Sequence, residues 1–382
     1  MSTIYIHWPF CLSKCYYCDF NSIKCSGNIN FKKWLYLYKK VLEKFKQDFY
    51  KSEDITSIYF GGGTPSLLPE WFVADLIEEI NNSFNLMPGS EITLEANPKT
   101  VNKQSLLNFK KAGINRLSIG VQSIRNEDLK LLGRIHNSQD AKDCVFEAFD
   151  VFDNISIDMI YNRPRQNLTD WESELNEVLN WPINHISLYE LIIEDNTKLK
   201  QMIEQGDIPY PDNSDKFFNK TIEIATQANF EMYEVSNFAR NQKYGKHNLS
   251  YWNYEDYYGI GPGSHSRITK AQQKVAIAQI SNNLNWLKWA EDPDFELEIL
   301  SKDEIFEEMC IMGLRSKCGL DLGKISEEIK NKYDLQNKIE KLIKNSYIIK
   351  LGDRIILTKE GIKKLNLVIE FLVREEPYEI FN

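Results

Sequence analysis

Six short apolar runs of β-forming residues, separated by amphipathic helical stretches, constrain this chain more than any other feature. Alternation of this kind builds parallel βαβ units with right-handed crossovers. The pattern predicts strands over Ile4–Trp8, Ser57–Phe60, Glu91–Glu95, Arg116–Gly120, Ile155–Ile160 and Ile186–Leu191. Helices are expected over Phe31–Tyr50, Glu70–Phe84, Lys103–Lys111, Ala141–Phe149 and Leu168–Leu179. Six units fall short of the eight that close a full barrel, so an open, barrel-like sheet and a doubly wound sheet both fit the pattern.

The unusual residues fall at the carboxyl ends of these strands, which in a barrel-like sheet form one mouth. Cys11, Cys15 and Cys18 follow the first strand with C-x3-C-x2-C spacing, a compact loop that brings three thiolates together. Soft thiolates suit iron–sulfur clusters, zinc or Cu(I). Three ligands leave one coordination position open, as a reactive cluster needs; a structural zinc ion would recruit a fourth ligand, with Cys25 and His7 as the candidates. Seven cysteines, an odd number, and no basic and apolar secretory signature argue against disulfides and for a reducing, cytoplasmic setting.

Gly61-Gly62-Gly63-Thr64-Pro65 follows the second strand, where bare backbone can approach a small zwitterion; it lacks the Gly-Lys-Ser/Thr ending of a phosphate loop. Glu95 ends the third strand and Gln122 the fourth. Glu95 also reads as a solvated edge residue, and Arg134 as half of a surface ion pair. Asp158 sits inside the apolar run of the fifth strand, where a carboxylate requires donors such as ligand hydroxyls.

Beyond about residue 205 the alternation fades. We divide the chain into a core (1–231), an aromatic, loop-rich connector (232–299) and a C-terminal module (300–382). The module shows helical patterns over Asp303–Arg315, Leu322–Tyr333 and Leu335–Lys344. A hairpin, Tyr347–Lys350 with Arg354–Thr358, and a helix from Lys359 to Val373 complete a winged-helix-like arrangement. Basic and acidic side chains are equal in number there, and the whole chain carries a formal charge of −9, which disfavours nucleic-acid binding. No apolar run reaches the roughly 18–20 residues of a membrane span. In the connector, His247 stands beside Tyr251, Trp252, Tyr254, Tyr257 and Tyr258, an axial ligand with flat stacking partners, although a lone loop histidine is more often just a satisfied polar residue. Cys144, Cys310 and Cys318 lie in apolar patterns and read as core.

Together these segments resemble the radical S-adenosylmethionine superfamily: the cysteine triplet matches its cluster motif and the glycine run its methionine-binding loop. More narrowly, the chain resembles the oxygen-independent coproporphyrinogen III oxidases and their relatives. The matching phrases are Tyr5–Cys11, Leu117–Ser123, Leu132–Asn137 and Ile157–Tyr161. The resemblance spans nearly the whole chain and implies an α/β fold, a partial (β/α)6 barrel with a winged-helix-like C-terminal domain. It implies one [4Fe–4S] cluster on Cys11, Cys15 and Cys18, its fourth iron chelating S-adenosylmethionine, whose sulfonium an electron cleaves to a 5′-deoxyadenosyl radical. By the same resemblance Tyr5 lies near the cluster, Gly62, Gly63 and Thr64 meet the cofactor, Glu95 and Arg134 address its amino-acid end, and Gln122 and Asp158 bind the ribose.

The decarboxylating enzyme of that family has a fourth cysteine where this chain has Phe20. Phe20, with His247-Asn248-x-x-Tyr251-Trp252, resembles instead the haem chaperone branch, HemW. That branch implies haem contacting His247 and delivery to acceptor proteins, chiefly membrane-bound respiratory enzymes, with the protein at the inner membrane face during delivery. Coproporphyrinogen III oxidase activity is the alternative; dimerisation is left open. One departure stands out. After the buried aspartate the family pattern Gly-Leu-Pro-Gly is here Asn162-Arg163-Pro164-Arg165, two cations that would bear on the cofactor if the turn borders it.

Overall fold

The computed structural model describes residues 1–25, 27–210 and 213–375. Strands β1 (Ser2–Trp8), β2 (Asp54–Gly62), β3 (Asn85–Ala96), β4 (Arg116–Gln122), β5 (Ile155–Tyr161) and β6 (His185–Glu190) lie parallel and side by side in chain order. Their two faces differ. On β5, Ile155, Ile157, Met159 and Tyr161 join the main core, whereas Asp158 and Ile160 line a cavity. The period-2 alternation of a strand thus carries apolar side chains to the helices and the acid to the concave side.

The covering helices include α1 (Phe31–Asp48), α2 (Glu70–Ser83), α3 (Lys103–Lys111), α4 (Ser138–Phe149) and α5 (Leu168–Leu179). Four begin on asparagines: Asn30, Asn102, Asn137 and Asn167 each accept a hydrogen bond from a first-turn N–H. On α1 the residues Trp34, Leu37, Tyr38, Val41, Leu42 and Phe45 form one buried stripe at helical spacing.

Segment 232–299 differs from the loop-rich connector expected of it. Asp256–Ile260 pairs parallel to β1, and His265–Lys270, Gln273–Ala278 and Glu298–Ile299 extend the sheet antiparallel from there. Asn237–Ala239 and Glu231–Met232 cap the far edge beside β6, giving a sheet of 12 strands. These strands are short, two to six residues each, so their sequence shows little periodicity. Those on the β1 side together cover the edge of β1 that the other parallel strands leave free, as an edge of a largely buried sheet requires.

The C-terminal module has its own core around Phe306, Met309, Leu342 and Ile355. Helices Lys302–Gly313, Glu327–Lys332 and Leu335–Lys344 stand against a sheet of Ile348–Leu351, Arg354–Leu357 and Leu320–Asp321. The pattern read as a helix from Leu322 divides into a 3-10 turn (Leu322–Lys324) and a helix capped by Ser326; the last helix divides at Lys364. The module is tied to segment 232–299 by backbone bonds, Val235 N–H to Arg315 O at 3.0 Å and Lys317 N–H to Tyr233 O at 2.9 Å. Arg267 and Glu308 add an ion pair at 2.8 Å. Among the described residues no helix is long and apolar enough to cross a membrane.

Candidate functional site

The cysteine loop is closed by a short parallel pairing of Phe10–Cys11 with Ile23–Lys24, with Cys25 N–H donating to Cys11 O at 2.8 Å. The glycine run is clamped against it: Gly63 N–H reaches Trp8 O at 2.6 Å and Thr64 N–H reaches Phe10 O at 2.9 Å. A Cβ on Gly63 would sit 2.8 Å from Phe10 O and 3.0 Å from Cys11 Sγ, and Gly62 has φ +110°. Only glycine permits this approach. The result is a cavity of about 450 Å³ lined by the three cysteines, Gly62, Gly63, Thr64, Glu95, Gln122, Arg134 and Asp158. Strand register brings them to one level: Gly120 on β4 faces Asp158 on β5, which faces Ser187 on β6.

Glu95 is no solvated edge residue. It accepts from Tyr59 Oη at 2.9 Å and Gly62 N–H at 3.2 Å. Burial, then the nearby Asp158, push its carboxyl up to about 7. Asp158 accepts from Ser118 Oγ at 3.2 Å, and burial raises it too, against the opposing bond to Ser187. Arg134 forms no surface ion pair: Nη1 donates to Cys15 Sγ at 3.3 Å and Nη2 to Gly120 O at 2.7 Å, and its buried Nε has no partner. Burial also raises the thiols of Cys11 and Cys18, so loading metal onto them releases protons.

These residues fit the groups that the family resemblance implies. Among the described residues no three His, Cys, Asp or Glu side chains converge tightly enough for a single metal ion. The three thiols line one cavity together with the carboxylates of Glu95 and Asp158 and the unpartnered Nε–H of Arg134, a donor set that suits a thiolate-held cluster beside an amino-acid ligand. His7 and Cys25, the candidates for a fourth zinc ligand, are engaged elsewhere: His7 with Asn21 O at 2.9 Å and Tyr5 Oη at 3.1 Å, Cys25 with Gly27 O at 3.3 Å.

Two expected residues stand apart. Tyr5 lines a second cavity, and His247 lines neither. His247 is buried, its Nδ1 on Ser57 Oγ at 2.8 Å and its Nε2 on Tyr251 Oη at 2.9 Å, and burial lowers its pKa to about 3. With both nitrogens spent, this arrangement does not offer His247 to a porphyrin iron. Neither cation of the departing turn lines the thiol cavity. Arg163 is buried on Glu174 and Asp128 (2.9 Å), with Nη1 on Ile160 O at 2.7 Å and Gln122 O at 3.2 Å. Arg165 is exposed and reaches Asp207 O at 2.9 Å. Asn162 and Arg165 keep positive φ, +55° and +67°, so the turn retains the glycine conformation without the glycines.

Sequence reasoning missed Tyr59, Ser118, Ser187 and Tyr189, which also line the thiol cavity. Their signal is weak: Ser118 and Ser187 are single small polar residues within apolar strands. The second cavity, about 760 Å³, adjoins the first and shares Phe20, Gly62, Glu95, Tyr189 and Asn248 with it. Its walls include Tyr251, Trp252, Tyr254, Tyr257, His265 and Arg267, with Glu308, Met312 and Arg315 from the C-terminal module side.

The family model of the radical SAM superfamily matches residues 5–178. The chain is 32% identical to "Heme chaperone HemW" of Buchnera aphidicola (Acyrthosiphon pisum), over 97% of this chain and 98% of that one. It is 35% identical to "Radical S-adenosyl methionine domain-containing protein 1, mitochondrial" of Danio rerio, over 84% of this chain and 74% of that one. Among solved structures it is similar in fold to coproporphyrinogen III oxidase (HemN) from Escherichia coli, with TM-score 0.81 and 19% identity, covering 97% of this chain and 89% of that one.

Proposed function

This chain belongs to the HemW family of the radical SAM superfamily, and on that premise we propose that it binds haem and passes it to acceptor proteins. The observation that carries this reading is the second cavity, roomy, walled by aromatic rings and adjoining the thiol cavity. Flat aromatic walls suit a flat macrocycle, and the volume falls within the range of about 300–1,000 Å³ typical of small-molecule sites. Family membership implies a [4Fe–4S] cluster and S-adenosylmethionine. In our reading Cys11, Cys15 and Cys18 hold one cluster, Glu95 and Arg134 orient the amino-acid end of the cofactor, and Gln122 and Asp158 take its ribose. A cluster held by these cysteines would supply one-electron chemistry toward the sulfonium of the bound cofactor. Gly62 and Gly63 provide close backbone approach, and Phe20 stands at the position where the decarboxylating relatives are expected to carry another cysteine. The acceptors we propose are membrane-bound respiratory proteins, served from the cytoplasmic face.

Anaerobic reconstitution followed by haem titration and transfer to an apo-acceptor tests this. We expect one cluster and one haem per chain, with haem passing to the acceptor. Anaerobic conversion of coproporphyrinogen III to protoporphyrinogen, without haem uptake, overturns the reading in favour of the oxidase.

A further inference from the structure

We propose that the larger cavity is the haem seat and that His265, rather than His247, is its iron ligand; this rests on the haem-carrier reading above. The chain has five histidines. His7, His185 and His247 have both ring nitrogens hydrogen-bonded, to Tyr5 and Asn21, to Ser156 and Tyr233, and to Ser57 and Tyr251. His136 is buried outside both cavities, with Nε2 on Val121 O at 3.0 Å. Only His265 is exposed and lines a cavity, and it makes no side-chain hydrogen bond among the described residues. A free imidazole on a cavity wall is the ordinary ligand for porphyrin iron.

The rest of that wall suits the remainder of the ligand. Tyr251, Trp252 and Tyr257 give faces and edges for the ring, and Trp252 brings a buried indole N–H without an acceptor. A porphyrin's propionates require a cation that is not already neutralised. Arg267 is committed to Glu308, whereas Arg315 donates to Ile311 O at 2.7 Å and has no carboxylate within ion-pair distance among the described residues. The seat therefore spans β1, the edge strand that begins at His265, and the C-terminal module.

The test is a haem titration of the full-length, anaerobically purified protein, read by the Soret band and by electron paramagnetic resonance. His265→Ala is expected to weaken haem affinity at least tenfold and to abolish the imidazole-ligated spectrum, with added imidazole restoring it. Arg315→Gln is expected to weaken binding several-fold with the spectrum unchanged. If His265→Ala binds haem with wild-type affinity and spectrum, the ligand assignment falls while the haem-carrier reading stands. If Arg315→Gln leaves affinity unchanged, the cavity assignment fails. If wild-type protein takes up no haem, the parent reading falls and this one with it.

Discussion

The thiol cavity takes its side chains from the carboxyl ends of consecutive parallel strands, whereas the aromatic cavity draws on β1, the Lys246–Trp252 helix, an edge strand and the C-terminal module. The first is a local construction, in which each strand delivers its residues by continuing into its own loop. The second exists only because segments more than 200 residues apart are packed together. Yet Gly62 and Glu95 belong to both, so a ligand in one cavity touches the wall of the other. The contrast teaches that this fold pairs a motif-built site with an assembly-built one, and each can be broken separately.

The largest expected effect is on the first cavity alone. Cys15→Ser should abolish stable cluster absorbance after anaerobic reconstitution and leave haem affinity within about twofold; loss of both would show that the cavities are one site. Arg163→Leu supplies the residue expected of the family but leaves the buried Glu174 without its cation, while the half-buried Asp128 keeps Arg125 at 3.7 Å. We expect a loss of about 3–5 kcal/mol in urea unfolding, together with weaker S-adenosylmethionine binding, because Gln122 loses the prop on its carbonyl.

Glu95 tests the shared wall. Its folded-state carboxyl titrates at about 7 against an ordinary 4.5, so the fold holds a proton that the unfolded chain releases. That contribution to stability is complete below the ordinary value and is lost as pH rises through 7. Glu95→Gln should therefore stabilise the unliganded protein at about pH 8.5 by roughly 2–3 kcal/mol while removing the partner for a ligand ammonium group. Equal thermal stability of the two proteins on both sides of pH 7 would contradict this. Wild-type affinity for S-adenosylmethionine should fall as pH drops below 7, and the variant's should stay flat. Gly63→Ala has the smallest expected cost, about 1–3 kcal/mol by thermal unfolding. Its Cβ meets the backbone of Phe10 and the sulfur of Cys11, so cluster retention should suffer and haem binding should not.

Much of the first cavity was legible in the chain. Helices over Lys103–Lys111 and Leu168–Leu179 match the observed ends, because short-range caps and apolar spacing decide them. The residues at the strand ends converge because parallel connectivity leaves them no other place. Other features were not legible, for identifiable reasons. The burial of His247 depends on Ser57 and Tyr59, which lie far away along the chain. Arg163 reads as a charged intruder until Glu174 and Asp128 are seen to enclose it. The strands of 232–299 are positioned by the pairing of Asp256–Ile260 with β1, a partner remote along the chain.

The order of residues was enough to establish the alternating strands, the helices over them, the cysteine loop and the ring of polar groups at one mouth. Each follows from backbone periodicity and from neighbours close along the chain. Which histidine is free, where the two arginines of the altered turn point, and that a second cavity opens beside the first were decided only in three dimensions. Burial and hydrogen-bond saturation depend on whatever covers a side chain, and here the cover comes from remote segments.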